Sequence, residues 1–465
     1  MTSLHDRLRP RAQHQGVALL AVTLGQFLLQ LDLTVVNVAL PAVGRDLAVP
    51  VSGLQWVVDG YNLAVASLLL TGGRLGDRWG HKRVYLLGLT VFAAASAACA
   101  TAPSVHVLVG LRVLQGVGAA IELPATLAIL RHTFTDARER AQAVGVWAGV
   151  AGVSLVVGPV LGGWLVVTAG WRAVFLANLP VCVVVAVLTV HAVRETSARG
   201  GTARRPAALD LPGQLLGGAA LALLAGGAIE GGQLGFGAPL PLALVAAGAA
   251  LLAGFVAVER RHPDPLLPLG LFRRPGYALA NVNGVVMGFV TVGLLFLFAL
   301  FFQQVRHDSA VAAGVRFVPL TVTFVLAGPL VGRFVHRVGH RAPMAAGAVL
   351  LCLGTLLLLR AGPHTGYGTV AWPFALVGTG YGLLSSPMAS AVLTSVPAHR
   401  AGTASSTNLT ARLVGGVLGI AVLGALLPGG SDVGGATFTA GLHAALLVAA
   451  AVAGLGAGLT SALAR

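Results

Sequence analysis

Apolar residues in this chain run for roughly 20 positions at a time, and such runs recur from residue 17 to residue 462 without alternating polar and apolar positions at period two. A helix of that length spans about 30 Å, the thickness of a bilayer's hydrocarbon core. Helices bond their own backbone and so tolerate lipid, whereas outer-membrane barrel strands would read as alternating segments of about ten residues. The runs predict fourteen spanning helices, near residues 17–41, 53–73, 83–101, 105–129, 141–168, 172–193, 211–231, 239–258, 277–303, 312–335, 342–361, 369–394, 401–427 and 438–462. The expected class is an all-α integral membrane protein.

Composition leaves no room for a soluble domain. Hydrophobic residues make up 56% and charged residues 10% of the 465, and the mean hydropathy is +0.86, against about 25% charge in soluble chains. The basic residues set the expected orientation. With the N-terminus inside, 23 Lys and Arg fall in cytoplasmic segments and 4 (Arg45, Arg172, Arg306 and Arg360) in external ones, a strong positive-inside bias. Both termini are therefore expected in the cytoplasm and the chain in the cytoplasmic membrane. The +15 formal charge is spread over short loops that meet anionic lipid headgroups, which argues against a nucleic-acid partner. The first apolar run follows arginines as a signal peptide would, but it contains Asp32 and Pro41 and is read as a retained first helix.

Charges inside spans carry the chemistry. A carboxylate at a helix centre costs about 2.5–3.5 kcal/mol on insertion scales, so Asp32 in the first span is expected to face a cavity, a partner or a proton path. Arg112 in the fourth span needs a partner, and Glu122, ten residues further on, lies at a different angle and is a candidate for protonation or cation recognition. Asp59 lies near the outer end of the second span and is expected either to line an outward vestibule or to sit at the aqueous interface. Arg412 is a further cation, in the thirteenth span. Gln30, Asn37, Gln115, Asn281, Asn283 and Phe289 are candidate cavity-lining residues, although polar residues in spans also serve as glue between helices. Cys99, Cys182 and Cys352 stand singly, without metal or redox spacing. There is no phosphate-binding loop and no nucleophile–base constellation, so neither an enzyme nor an ATP-driven pump is expected. No cofactor is expected, and a proton gradient is left as the energy source.

The chain also repeats itself. Gly73-Arg74-Leu75-Gly76-Asp77-Arg78-Trp79-Gly80-His81-Lys82-Arg83 follows the second span, and Gly328 to Arg341, again glycine-spaced and ending Gly-His-Arg, follows the tenth. Two duplicated halves are expected, as in many transporters. The domains read as a cytoplasmic N-terminus (1–16), a six-helix bundle (17–194), a linker with two inserted helices (195–275) and a second six-helix bundle (276–465).

The segment Gly73-x-Leu75-Gly76-Asp77-Arg78-x-Gly80-x-Lys82-Arg83 resembles the signature loop of the major facilitator superfamily. Leu31-Asp32-x-Thr34 through Pro41 resembles the first-helix motif of its fourteen-span drug:proton antiporters. Leu111-Arg112-x-x-Gln115-Gly116-x-Gly118-Ala119-Ala120 resembles their fourth-helix motif, and Gly158-Pro159-x-x-Gly162-Gly163 their antiporter motif. Ser154 stands where relatives usually carry glycine, and Glu122 where they usually carry an uncharged residue. The resemblance implies two pseudo-symmetric six-helix bundles plus two inserted helices, with alternating access to a midplane cavity. It also implies that Asp32 pairs with Arg112 when ionised and releases it when protonated. Gly73, Asp77, Arg78 and Gly80 are expected to form a conformational latch, with Asp77 in a loop accepting bonds from a helix N-terminus. Gly158, Pro159, Gly162 and Gly163 are expected to kink the fifth helix and let another pack closely.

The function so implied is proton-coupled export of hydrophobic, cationic or amphiphilic drugs. Alternatives are a dedicated exporter of one metabolite or self-made antibiotic, and a solute:proton symporter. Small-molecule substrate, protons and membrane lipids are the expected partners, and a monomer is the default state.

Overall fold

The computed structural model describes residues 3–195, 210–262, 265–267, 269–396, 401–428 and 435–462. These residues form helices α1 (Ser3–Asp46), α2 (Val51–Trp79), α3 (His81–Cys99), α4 (Val105–Thr133), α5 (Ala137–Ala169), α6 (Arg172–Leu176) and α7 (Asn178–Ala192). The inserted pair is α8 (Leu211–Leu234) and α9 (Pro239–Arg261). The second half holds α10 (Pro275–Leu300), α11 (Ala310–Arg316), α12 (Val318–Val338), α13 (Arg341–Leu357), α14 (Gly368–Thr394), α15 (Ala401–Gly424) and α16 (Gly435–Ala462). Among the described residues, thirteen helical stretches are long and apolar enough to cross a membrane. The fourteenth, α2, has 29 residues but carries Asp59, Arg74, Asp77 and Arg78. Most of the linker's polar stretch, from residue 196 to 209, lies outside the described residues.

Two spans are interrupted at positions where proline removes a backbone donor. Pro180 and Pro319, which cannot bond back to Leu176 and Val315, stand in the first turns of α7 and α12, where the sixth span divides into α6 and α7 and the tenth into α11 and α12, whereas Pro124 and Pro159 lie inside unbroken helices. Elsewhere, side chains cap the first turns: Ser104 accepts from Val107 N at 3.5 Å, Asp136 from Arg138 N and Glu139 N, and Ser309 from Ala312 N. The first helix reaches back to Ser3, so the N-terminal segment is not set apart from the span.

The same packing pairs recur in both halves. The first span packs on the fifth (α1 on α5, α10 on α15), the second on the fourth (α2 on α4, α12 on α14), and the third on the fourth and sixth (α3 on α4 and α7, α13 on α14 and α16). The turns after the second span of each half match as well. Gly80 and Gly339 take φ of +94° and +76°, a region costly for any residue with a Cβ, and each ends one helix just before the next begins. The inserted α8 and α9 pack on each other, and α8 lies along α2 and α15. Large apolar side chains such as Leu215, Val183 and Leu455 are exposed, as a lipid-facing surface requires.

The bundles bond to one another at the end opposite the N-terminus. Gln55 Nε2 donates to the carbonyls of Ile420 (2.8 Å) and Ala421 (3.0 Å), and Gln303 Nε2 to that of Val38 (2.9 Å). Beneath that end, Phe298, Phe301, Phe302, Phe317 and Phe374 form a buried aromatic stack with ring centroids 4.9–6.3 Å apart in the contacting pairs, each pair worth about 0.5–1.5 kcal/mol beyond its area.

Candidate functional site: a buried ion pair between α1 and α4

Arg112 lies two turns into α4, and Gln115, three residues later, shares its face. Across from them α1 presents Asp32, α3 presents Ser96, and the break after α6 places Asn178 in the first turn of α7. Arg112 Nη1 lies 2.6 Å from Asp32 Oδ2, and both side chains are fully buried. Asp32 Oδ1 accepts from Gln115 Nε2 at 3.0 Å and from Asn178 Nδ2 at 2.9 Å. Gln115 Oε1 accepts from Arg112 Nη1 at 2.6 Å, and Ser96 Oγ accepts from both amides, at 3.0 and 2.9 Å. Arg112 Nε donates to Val57 O at 3.1 Å, and the guanidinium lies 4.4 Å from the Tyr61 ring centroid. Its Nη2 has no hydrogen-bond partner among the described residues.

Desolvating either ion costs several kcal/mol, and a buried pair recovers that only where its remaining donors and acceptors are met. Asp32 meets this condition, because three donors surround its two oxygens. The Arg112 side is less complete, so the network is built around the ionised carboxylate. Ser96 and Asn178 belong to it although neither stands out in the sequence. We expect Asn178→Leu, which removes two of these bonds, to lower stability by about 1–3 kcal/mol and to shift the pH dependence of transport. Thermal unfolding and flux of the purified protein measure the two effects, and an unchanged pH profile would exclude Asn178 from the functional unit.

Glu122 is buried nearly three turns beyond Arg112 on α4, apart from this network. Its carboxylate and the Tyr85 ring converge on Gly25 of α1, and a Cβ at Gly25 would stand 2.7 Å from Glu122 Oε1. The Tyr85 hydroxyl donates to Ala21 O at 3.2 Å, and neither Glu122 oxygen has a well-formed hydrogen bond among the described residues.

Several of the residues expected to line a cavity are held by bonds within their own helix or to a neighbouring one. Gln115 is committed to the ion-pair network, and Asn283 donates to Leu279 O and Thr460 Oγ1, tying α10 to α16, so both act as interhelical glue. Asn37 and Asn281 donate to carbonyls one turn back, at Leu33 and Tyr277. Phe289 is buried, with Gly419 of α15 packed on its backbone. Gln30 is half-buried. Asp59 is fully buried in this conformer, and neither of its oxygens has a partner among the described residues. Arg412 Nη2 donates to the Tyr381 hydroxyl at 2.6 Å.

The latch segment also differs from expectation. Arg74 to Trp79 continue α2 as helix, and only Gly80 forms the turn. Asp77 is 74% exposed, and its carboxylate lies 3.6 Å from His81 Nε2 instead of capping a helix. Gly73 packs on Pro124, and Arg78 is exposed.

The segment Gly158 to Gly163 forms a two-sided seam. Gly158 packs on Thr34 and Gly162 on the Val35 backbone, both in α1. Gly163 packs on Ala310 and Val311, and Gly314 packs on Pro159, so this stretch of α5 touches the opposite bundle backbone to backbone.

A sequence profile of the Major Facilitator Superfamily matches residues 22–420. The chain belongs to the major facilitator superfamily. It is 38% identical over 413 residues to the Multidrug resistance protein Stp of Mycobacterium tuberculosis, covering 89% of this chain and 76% of Stp. It is 36% identical over 409 residues to the Tetracenomycin C resistance and export protein of Streptomyces glaucescens, covering 88% and 75%. Among solved structures, a bacterial homologue of the human lysosomal transporter Spinster, inward-facing and unoccupied, superposes with a TM-score of 0.70 at 18% identity over 97% of each chain. The nucleoside transporter NupG superposes with a TM-score of 0.67 at 13% identity over 96% of this chain and 100% of NupG. The superfamily membership makes this chain a multi-pass membrane transporter, and its sequence relatives are drug and antibiotic resistance transporters.

Proposed function

We propose that the protein is a proton-coupled antiporter that exports hydrophobic, cationic or amphiphilic drugs across the cytoplasmic membrane by alternating access. The observation that carries this reading is the fully buried 2.6 Å pair of Asp32 and Arg112, whose other partners are neutral. Protonating Asp32 removes the charge that holds Arg112 and leaves the cation with Gln115, Val57 O and the Tyr61 ring. The pairing of α1 with α4 thus has two electrostatic states, set by one proton. A gradient of one pH unit supplies about 1.4 kcal/mol, and 100 mV about 2.3 kcal/mol per charge, enough to drive severalfold to hundredfold accumulation.

The 23-to-4 distribution of basic residues supports cytoplasmic termini. On that orientation the bonds of Gln55 and Gln303 and the seam between α5 and α11 hold the two bundles together on the external side. The test is uptake of a lipophilic cationic dye by everted membrane vesicles. Uptake is expected to stop when an ionophore collapses the pH gradient, and uptake indifferent to the gradient would overturn the proposal.

Glu122 is read as a second carboxylate able to take up a proton. Glu122→Gln is expected to lower the number of protons moved per substrate while transport persists; an unchanged ratio would confine coupling to Asp32. A second reading, export of one antibiotic alone, draws on relatives named for tetracenomycin C, methylenomycin A and puromycin. Competition among unrelated drugs for the same efflux separates the two.

A further inference from the structure

The base of the inserted hairpin holds two buried carboxyl groups that the transport mechanism does not use. Asp210, just before α8, and Glu259, near the end of α9, are 1% and 3% exposed. Asp210 Oδ1 caps α8 by accepting from Gly213 N at 2.9 Å, and Glu259 Oε2 accepts from Leu267 N at 3.0 Å. Each group is left with one oxygen, Asp210 Oδ2 and Glu259 Oε1, that has no partner among the described residues. Both oxygens point to the same place: a Cβ on Gly213 would stand 2.5 Å from the first and 2.9 Å from the second.

Among the described residues, His262 is the cationic neighbour of this pair. His262 Nε2 lies 4.0 Å from Asp210 Oδ1, on the capping side. Arg260 and Arg261, beside Glu259 on α9, are exposed. From α2, Arg74 Nη2 reaches the Pro265 carbonyl at 3.4 Å, and Thr71 Oγ1 donates to Gln214 Oε1 of α8.

We infer that Asp210 and Glu259 bind one proton between them, as a carboxyl–carboxylate bridge from Asp210 Oδ2 to Glu259 Oε1. The bridge closes the hairpin's base and holds the 265–267 turn, through Leu267 N, where Pro265 meets Arg74 of the signature segment. It is a proton site separate from the Asp32 network, and it ties the inserted helices to the end of α2. This inference does not depend on the proposed antiport.

A bridge of this kind has a definite pH signature. The folded pair keeps a proton that the unfolded chain releases above the ordinary carboxylate range, so the folded state binds more protons and stability falls as pH rises. Glutamine at 259 supplies an N–H in place of the shared proton at every pH. The test is the thermal unfolding midpoint of the purified full-length protein from acid to alkaline pH, for wild type, Glu259→Gln, Asp210→Asn and Glu259→Ala, with and without millimolar Mg2+ or Ca2+. Wild type is expected to lose stability towards alkaline pH. Glu259→Gln should match the wild-type acid-side midpoint and flatten the alkaline fall, Asp210→Asn should flatten it with a smaller midpoint loss than Glu259→Ala, and Glu259→Ala should be low throughout. Equal losses in Glu259→Gln and Glu259→Ala with the wild-type pH profile intact would overturn the shared proton. So would stabilisation of wild type by Mg2+ or Ca2+ that Glu259→Gln abolishes, because the pair would then be an ion site.

Discussion

Asp32→Asn abolishes gradient-driven export while the protein still inserts in the membrane. The carboxylate is the only anion within the network of α1, α3, α4 and α7 among the described residues, and Arg112 rests on it at 2.6 Å. An asparagine keeps the shape but cannot exchange a proton, so the two electrostatic states collapse to one. It also leaves a buried cation without its counter-ion, which costs about 3–5 kcal/mol. The double change Asp32→Asn with Arg112→Gln separates uncoupling from misfolding, because it removes both charges. The double variant should recover thermal stability and still fail to concentrate substrate. Arg112→Ala should likewise abolish uphill export, although Asp32 would keep the amides of Gln115 and Asn178. Uphill efflux at the wild-type rate by Asp32→Asn would remove Asp32 from the mechanism.

Gly163→Leu stops transport by a different route. A Cβ at Gly163 would stand 2.6 Å from the Val311 Cα, so a side chain there meets backbone, which cannot rotate away. The helices α5 and α11 would be held apart, and the end opposite the N-terminus could not close. Transport should fall at least about a hundredfold, equivalent to some 2.7 kcal/mol, with Asp32 and Arg112 untouched. Thiol labelling of a cysteine at Gln303 should become faster in the leucine variant than in the same cysteine background with Gly163 intact. Normal flux with unchanged labelling would show that this seam does not gate access.

Much of this was legible because lipid makes charge conspicuous. Asp32 and Arg112 stand out in apolar spans, and their insertion cost demands a partner, so their pairing could be expected from the residues together with the family's layout. Ser96 and Asn178 could not be found in that way. Serine and asparagine occur in many spans, and their partners are fixed only when helices from distant parts of the chain meet. Gln115 was visible as a polar residue, but whether it faced a drug or Asp32 depended on the angle at which α4 meets α1. The limits of the signature segment were misleading because its charges suggested a loop. A helix end in water tolerates charge, and α2 runs on to Trp79 with Asp77 exposed. Asp59 was placed near a span's end, where contact with water is expected, and in this conformer packing against neighbouring helices buries it. The breaks beside Pro180 and Pro319 were not anticipated, since 172–193 and 312–335 read as continuous apolar runs, and the first of them brings Asn178 to the site.

The most direct test of the central claim is made in proteoliposomes containing only the purified protein. An imposed pH gradient is monitored while lipophilic cationic dyes and antibiotics are added one at a time. A transported compound should dissipate the gradient as it moves, in wild type and not in the Asp32→Asn, Arg112→Gln double variant. Substrate movement that leaves the wild-type gradient intact, or that dissipates it equally in the double variant, would contradict proton exchange through the Asp32–Arg112 pair.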